Sequence, residues 1–289
     1  MKAERRMTMS DKINFAAEFN KSKEELLAMD EVEFRARFRE RCHHTLEIQL
    51  YSAAYRGKPL NPKQTKTTEL FMEVWQERGM PETLPEYVFA SRLLSFAQKL
   101  VRGETLDLSP YEVSPLSPSE LSGFERTVYE RRSVREWSAR KVPDDIIEKV
   151  LKAGLWAAHA CNLQSIRYLV MREEHCPGLF RGSDIPGGPL HVVVLQDMRV
   201  YKANPVMPES NQLLDAGAAG QNLVLAAHAY GLGACWLTFT SEEMKQRIRD
   251  YVNLPEYMRM TTYVDMGYPD QSPYPPQRIS VDEAVYYWK

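Results

Sequence analysis

The stretch Ser109-Pro-Tyr-Glu-Val-Ser-Pro-Leu-Ser-Pro-Ser119 constrains this chain most. Three prolines and four serines in eleven residues remove backbone donors and fix φ, so no helix continues through them. The segment reads as a linker over 109–119. It divides the 289 residues into a first part, 1–108, and a second, 120–289. That division agrees with length, since about two domains is the expectation for a chain of this size.

The first part reads almost entirely as helix. Ser22-Lys-Glu-Glu25 and Asp30-Glu-Val-Glu33 each place a capping side chain ahead of an acidic residue three positions on, which predicts two helix starts. Phe34, Phe38, Cys42 and Leu46 recur every four residues and so share one helix face. Arg35, Arg37, Arg39 and Arg41 fill much of the remainder. Glu31, Glu33 and Glu40 are interleaved with them, so the expectation is a solvated helix face rather than a nucleic-acid patch. Two more helices are predicted around Thr67–Glu77 and Glu86–Val101.

After the linker the pattern changes to alternating helix and strand. Ser117-Pro-Ser-Glu120 opens a helix carrying Leu121, Phe124 and Val128. Pro143 suits a first helical position, and Asp144 and Asp145 suit the positive end of the dipole. The helix that follows is expected to bury Ile147, Val150, Leu151, Gly154 and Leu155. Strands are predicted at Ile166–Met171, His191–Leu195, Ala234–Phe239 and Met260–Met266. A long helix is predicted over about Asn211–Tyr230. Its Asp215-Ala-Gly-Ala-Ala-Gly220 stretch holds two glycines, each costing roughly 1 kcal/mol in a helix interior. That cost predicts close approach by another backbone.

Composition limits the partners. Thirty-seven Lys+Arg against 39 Asp+Glu give a net charge of −2. This balance argues against broad binding to nucleic acid or to an anionic membrane, while leaving room for one small anionic ligand. No apolar run approaches the roughly 18–20 residues that cross a bilayer. Met1–Ser10 has no apolar core resembling a signal peptide, so a cytoplasmic protein is expected. Cys42, Cys161, Cys176 and Cys235 are scattered without a Cys-x-x-Cys pair, which predicts neither a disulfide framework nor a zinc ribbon. His43-His44 and Glu174-His175-Cys176 lack metal-ligand spacing, and no metal site is expected.

Three segments carry possible chemistry. In Glu130-Arg-Arg-Ser-Val-Arg135, three arginines and a hydroxyl within five residues can converge on one phosphate, because each guanidinium presents a planar fork of donors. A solvated basic loop is the alternative. His159-Ala-Cys-Asn-Leu-Gln164 offers two amides that both donate and accept, as the edge of a flavin or pyrimidine requires. A polar turn capping a helix is the alternative there. Gly231-Leu-Gly233 runs from helix into strand, the reverse of the dinucleotide fingerprint, and reads as a tight turn ending the helix.

Taken in order, these motifs resemble the FMN-dependent nitroreductase family from about Phe124 to the C-terminus. The resemblance rests on Glu130-Arg-Arg-Ser-Val-Arg135, Val142-Pro-Asp-Asp-Ile146, Asn162-Leu-Gln164, Asp215-Ala-Gly-Ala-Ala-Gly-Gln-Asn222, Gly231-Leu-Gly-Ala-Cys-Trp236, Val264-Asp-Met-Gly-Tyr-Pro269 and Pro276-Gln-Arg278. It implies an α+β fold, a three-layer α/β/α sandwich with a mixed sheet, here preceded by an all-helical region. It also implies a homodimer with FMN sites at the interface.

By the same resemblance, Arg131, Arg132, Ser133, Arg135 and Arg278 grip the FMN phosphate and ribityl chain. Asn162 and Gln164 contact the isoalloxazine from the other subunit, and the backbone at Leu237 and Thr238 reaches the flavin near N5. His159, Thr238 and Phe239 border the pocket. His159 stands where many relatives carry small residues. The implied activity is hydride transfer from NADH or NADPH through FMN to a nitroaromatic, quinone or related acceptor, with the cofactor carrying the chemistry. Two other outcomes stay open. One is a specialised flavin enzyme of the same fold: a biosynthetic oxidase, a reductive dehalogenase or a flavin-consuming enzyme. The other is a flavin-binding interaction protein without turnover.

Overall fold

A computed structural model of the chain describes residues 18–182 and 187–288. Met1–Ser10, read above for a leader segment, lies outside the described residues. The chain forms two compact units, and neither is continuous in sequence. The first takes the chain up to Val113 together with His159–Ser165 and Asp197–Gln212; the second takes Ser114–Ala158, Ile166–Gln196 and the chain from Leu213.

Helices build the first unit. Ser22 and Glu25 form the expected reciprocal cap of α1 (Lys23–Ala28), and the Asp30 carboxylate accepts from Val32 and Glu33 at the start of α2 (Glu31–Arg41). A π-helix, Cys42–Glu47, joins α2 to α3 (Ile48–Arg56), which stops at Gly57 with φ +62°. Next come α4 (Pro62–Glu77) and α5 (Pro85–Val101), each opened by its proline. Phe34, Phe38, Cys42 and Leu46 are all buried, against Phe71, Val74, Trp75 and Tyr87. Phe38 and Phe71 stack at 5.4 Å. Each such ring contributes roughly 1.5–3 kcal/mol by leaving water.

The arginine-rich face of α2 departs from the expectation of a solvated surface. Arg37 is only 5% exposed. Its guanidinium donates to the carbonyls of Glu18 (2.9 Å) and Lys202 (2.8 Å) and to the Glu33 carboxylate (3.0 Å). Arg35 and Arg39 both reach Glu86 at the start of α5. The face is buried because the chain returns to it. Leu163 packs with Ala36, Val200, Tyr201, Ala203 and Met207 in a small core of its own, beside α8 (Met198–Tyr201).

The second unit begins with a 13-residue helix, α6 (Pro118–Glu130), capped by Ser117 as expected. A four-stranded sheet then forms in the order β1-β2-β4-β3, from β1 (Ile166–Arg172), β2 (Leu190–Asp197), β3 (Gly233–Leu237) and β4 (Met258–Gly267). β1 pairs antiparallel with β2, and β3 with β4. Alternation sorts β2 between two cores. Leu190, Val192 and Val194 face α7 (Asp144–Leu155) and α9 (Glu209–Ala229), whereas Val193 and Leu195 join Met244 and Ile248 of α10 (Glu242–Val252). Helix, sheet and helix make the three layers. A one-turn helix, α11 (Val281–Ala284), lies near the end of the chain.

Local differences from the predicted elements have local causes. Pro143 is extended (ψ 148°) and serves as the cap before α7 rather than its first residue. Leu155 falls on the last turn and is 52% exposed, so the buried stripe ends at Gly154. β3 stops at Leu237, whose pairing with Tyr263 is the last rung, leaving Thr238 and Phe239 beyond the ladder. Within the chain, the close approach to the glycines of α9 is made by an indole and only at Gly220. A Cβ on Gly220 would lie 2.7 Å from the Trp236 ring, whereas one on Gly217 would meet nothing described within 4 Å. In the turn after α9, Gly231 has φ +77°, and Leu232 N donates to Ala227 O at 2.8 Å, the expected helix stop.

A buried ionic cluster ties β2 to β4. His191 Nδ1 lies 2.6 Å from Asp265 Oδ1, and its Nε2 lies 3.0 Å from Glu173 Oε2. Phe180 stacks on the imidazole at 4.1 Å. Burial alone would lower the basicity of His191, but the two carboxylates outweigh it and raise the ring above its ordinary value.

Candidate functional site

The arginine segment is fixed by backbone on both sides. After α6 ends at Arg131, the chain turns extended, and Ser133 bridges Ala234 of β3 in parallel. Val134 N donates to Ala234 O at 3.1 Å. Gly233 permits this approach, since a Cβ there would sit 2.7 Å from the Val134 side chain. Opposite, Gln271 Oε1 accepts from the amides of Arg135 (2.5 Å) and Glu136 (3.3 Å).

Among the described residues, the arginine side chains here reach backbone carbonyls rather than carboxylates. Arg132 donates to Tyr129 O at 2.7 Å, Arg135 to Ser133 O at 3.5 Å and Arg278 to Gln277 O at 2.8 Å. None of Arg131, Arg132, Arg135 and Arg278 pairs with a carboxylate among the described residues. Burial, then the charges of Arg278 and Arg132, lowers Arg131 from the ordinary arginine value. His228 at the end of α9 is lowered as well, by burial first and by Arg131 and Arg132 in addition. Cys235 beneath the segment is raised by burial, against the pull of Arg135 and Arg131. Clustered guanidiniums that repel one another are stabilised by a multivalent anion, and phosphate matches their donor geometry.

The end of β3 lies in the same unit. Trp236 Nε1 donates to Thr262 Oγ1 at 2.5 Å, and the Thr262 hydroxyl donates on to Leu237 O. Phe239 packs on Tyr263 with centroids 5.1 Å apart. Thr238, exposed between them, is one residue past the last ladder pair.

His159, Asn162 and Gln164 belong to the first unit, on a turn with an unusual backbone. Cys161, Asn162 and Gln164 have φ of 53°, 52° and 57°. Left-handed backbone costs roughly 1–2 kcal/mol per ordinary residue, less for Asn. Three such residues in four persist only where surroundings over-determine them, and such strain gathers at ligand sites. Here the residue between them is the anchor. Leu163 is fully buried, and its carbonyl accepts from Arg39 Nε (3.2 Å) and Nη2 (2.8 Å). Glu86 Oε1 holds Arg39 Nη1 at 2.6 Å. Burial would raise the Glu86 carboxyl, but its backbone amide and then Arg39 and Arg35 keep it below the usual range.

Further contacts complete the turn. Ser165 Oγ lies 2.7 Å from Tyr201 Oη, and Asn204 Nδ2 points at Cys161 Sγ from 3.4 Å. The π-helix Cys42–Glu47 packs against it as well. At its surface Gln164 Nε2 donates to Asn162 Oδ1 at 2.9 Å, so the two amides act as a pair. The sequence marks Arg39 only as part of a solvated face and Glu86 only as a helix start, neither as a site residue. Arg39 stands 124 positions from its carbonyl partner, and no spacing pattern reports such a contact.

Residues 128–176 and 179–268 match the Nitroreductase family, and the chain belongs to it. Among relatives, it is 31% identical over 150 residues to a protein of Archaeoglobus fulgidus named NADH dehydrogenase/NAD(P)H nitroreductase, covering 50% of this chain and 84% of that one. It is 24% identical over 172 residues to the NADPH-flavin oxidoreductase of Vibrio harveyi, covering 55% and 71%. A crystal structure of a nitroreductase from Desulfovibrio desulfuricans, in complex with FMN, superposes with TM-score 0.52 at 25% identity, over 61% of this chain and 99% of the other. The three-layer α+β unit is the fold of this family. The matched residues begin within α6, so α1–α5 lie outside them.

Proposed function

We propose that this chain is an FMN-dependent oxidoreductase that takes NADH or NADPH as donor and reduces a nitroaromatic, a quinone or a related small acceptor. The observation that carries this reading is the group of four arginines without carboxylate partners among the described residues, three of them on a segment pinned to β3. Arg131, Arg132, Arg135 and Arg278 would hold the phosphate and Ser133 would add its hydroxyl, a set suited to one phosphate. No glycine-rich pyrophosphate loop accompanies it, which favours FMN over FAD.

Bound FMN supplies the hydride chemistry. The protein binds, orients and excludes water. Asn162 and Gln164 offer paired amides to a ring edge, contributed by a second copy of the chain in a homodimer. The backbone at Leu237 and Thr238 would meet the ring near N5, and His159, Thr238 and Phe239 would border the acceptor. Family membership and the related oxidoreductases support this assignment.

Segment 120–289 is the proposed flavin module, 1–108 the helical extension and 109–119 the linker, with the protein acting in the cytoplasm. Among the described residues no helix is long and apolar enough to cross a membrane. Denaturing the purified protein and running the released cofactor by chromatography tests the reading. FMN is expected at about one per chain; FAD, or no flavin even after reconstitution, would overturn it.

A further inference from the structure

The helical extension contains a device aimed at the turn that carries Asn162 and Gln164. We propose that Arg39, held in place by Glu86, is a positioning residue for that turn: it fixes the Leu163 carbonyl so that the two amides keep the geometry the flavin needs. This rests on the reading of Asn162 and Gln164 as flavin contacts.

The argument is geometric. Asn162 and Gln164 both have left-handed backbone, and Leu163 between them is the one residue of the run 161–164 without it. A chain that reverses handedness on either side of one residue is set by how that residue is held. Leu163 is held twice. Its side chain is sealed among Ala36, Val200 and Tyr201, and its carbonyl takes two donors from one guanidinium. A two-donor fork fixes direction as well as distance, which a lysine ammonium does not reproduce. Arg39 cannot swing away, because its remaining nitrogen is bound to a Glu86 carboxylate only 7% exposed. α2 and the start of α5 thus form a rigid bracket for a turn over 120 residues further along the chain. Both halves of the bracket come from helices outside the residues matched to the family, while the turn they hold lies inside them.

The test uses the full-length protein and four variants. Arg39→Met keeps the apolar stem and removes the donors; Arg39→Lys restores one point charge. Glu86→Gln loosens the guanidinium. Arg37→Met removes an equally buried arginine of the same helix that donates to Lys202 and not to the turn, and so controls for general loss of stability. Three quantities are read: FMN affinity, the visible spectrum of bound FMN, and hydrogen exchange of the amides of 161–165 in the flavin-free protein.

Arg39→Met is expected to weaken FMN about 10- to 100-fold, the effect of losing a charge-assisted bond. It should also move the spectrum toward that of free FMN and speed exchange at the turn. Arg39→Lys and Glu86→Gln should fall between it and wild type, and they carry the test if Arg39→Met does not fold. Arg37→Met should melt earlier yet keep the wild-type spectrum and affinity. Unchanged exchange and affinity in Arg39→Met, or equal losses in Arg37→Met, would overturn the proposal. Wild-type protein that binds no FMN while Arg39→Met still frees the turn would instead overturn the flavin reading and leave the bracket standing.

Discussion

The indole of Trp236 closes on the glycine at position 220: a Cβ on Gly220 would come within 2.7 Å of the indole Cζ2. The ring is fixed there by its bond to Thr262, so it cannot retreat cheaply. Gly220→Ala should therefore destabilise the fold by about 1–3 kcal/mol, the usual cost of overpacking, read as an earlier thermal transition. Gly217, three residues away, meets nothing described of its own chain within 4 Å. In the proposed dimer its openness serves the partner. Gly217→Leu is expected to leave secondary structure intact while losing dimer and FMN together, as measured by light scattering and absorbance.

Stability should fall on the alkaline side because of His191. Its basicity is raised above the ordinary 6.5 by Asp265 and Glu173. A raised cation contributes its full stabilisation below about pH 6.5 and loses it as pH climbs through the folded-state value. The buried Asp265 contact dominates, since Glu173 is partly exposed and screened. Melting temperature followed from pH 6 to pH 10 should decline in wild type. His191→Gln should start lower, by about 3–5 kcal/mol for breaking a buried pair, and should lack that slope.

The arginines should matter to ligand more than to fold. Arg131→Ala and Arg135→Ala each remove a donor that makes no ion pair among the described residues. FMN affinity should fall by roughly 1.5–3 kcal/mol per residue, with the melting transition of the flavin-free protein nearly unchanged. Fluorescence quenching of FMN measures the first and calorimetry the second. Unaltered affinity would mean that the segment is only a solvated loop.

Periodicity made much of the second unit legible. Ile147 and Val150 at helical spacing, and the apolar run through β2, report burial directly because their partners are defined by the element's own geometry. Capping pairs such as Ser117–Glu120 are equally local. The arginines of α2 were not legible. Arg37 and Arg39 find their partners at Lys202, Glu86 and Leu163, from 47 to 165 residues away. An arginine surrounded by acids looks the same in sequence whether water or a returning chain covers it. The glycines of α9 were legible only in part, for a related reason. Their presence signals a close approach, but not whether backbone, indole or a second chain makes it.

The most direct measurement is anaerobic addition of NADH, and separately of NADPH, to the FMN-loaded protein, followed by its visible spectrum. At least one of the two should bleach the oxidised flavin band within seconds, and a quinone or nitroaromatic added next should restore it. A flavin that stays oxidised under excess of both nucleotides would contradict assignment of this chain as an NAD(P)H oxidoreductase.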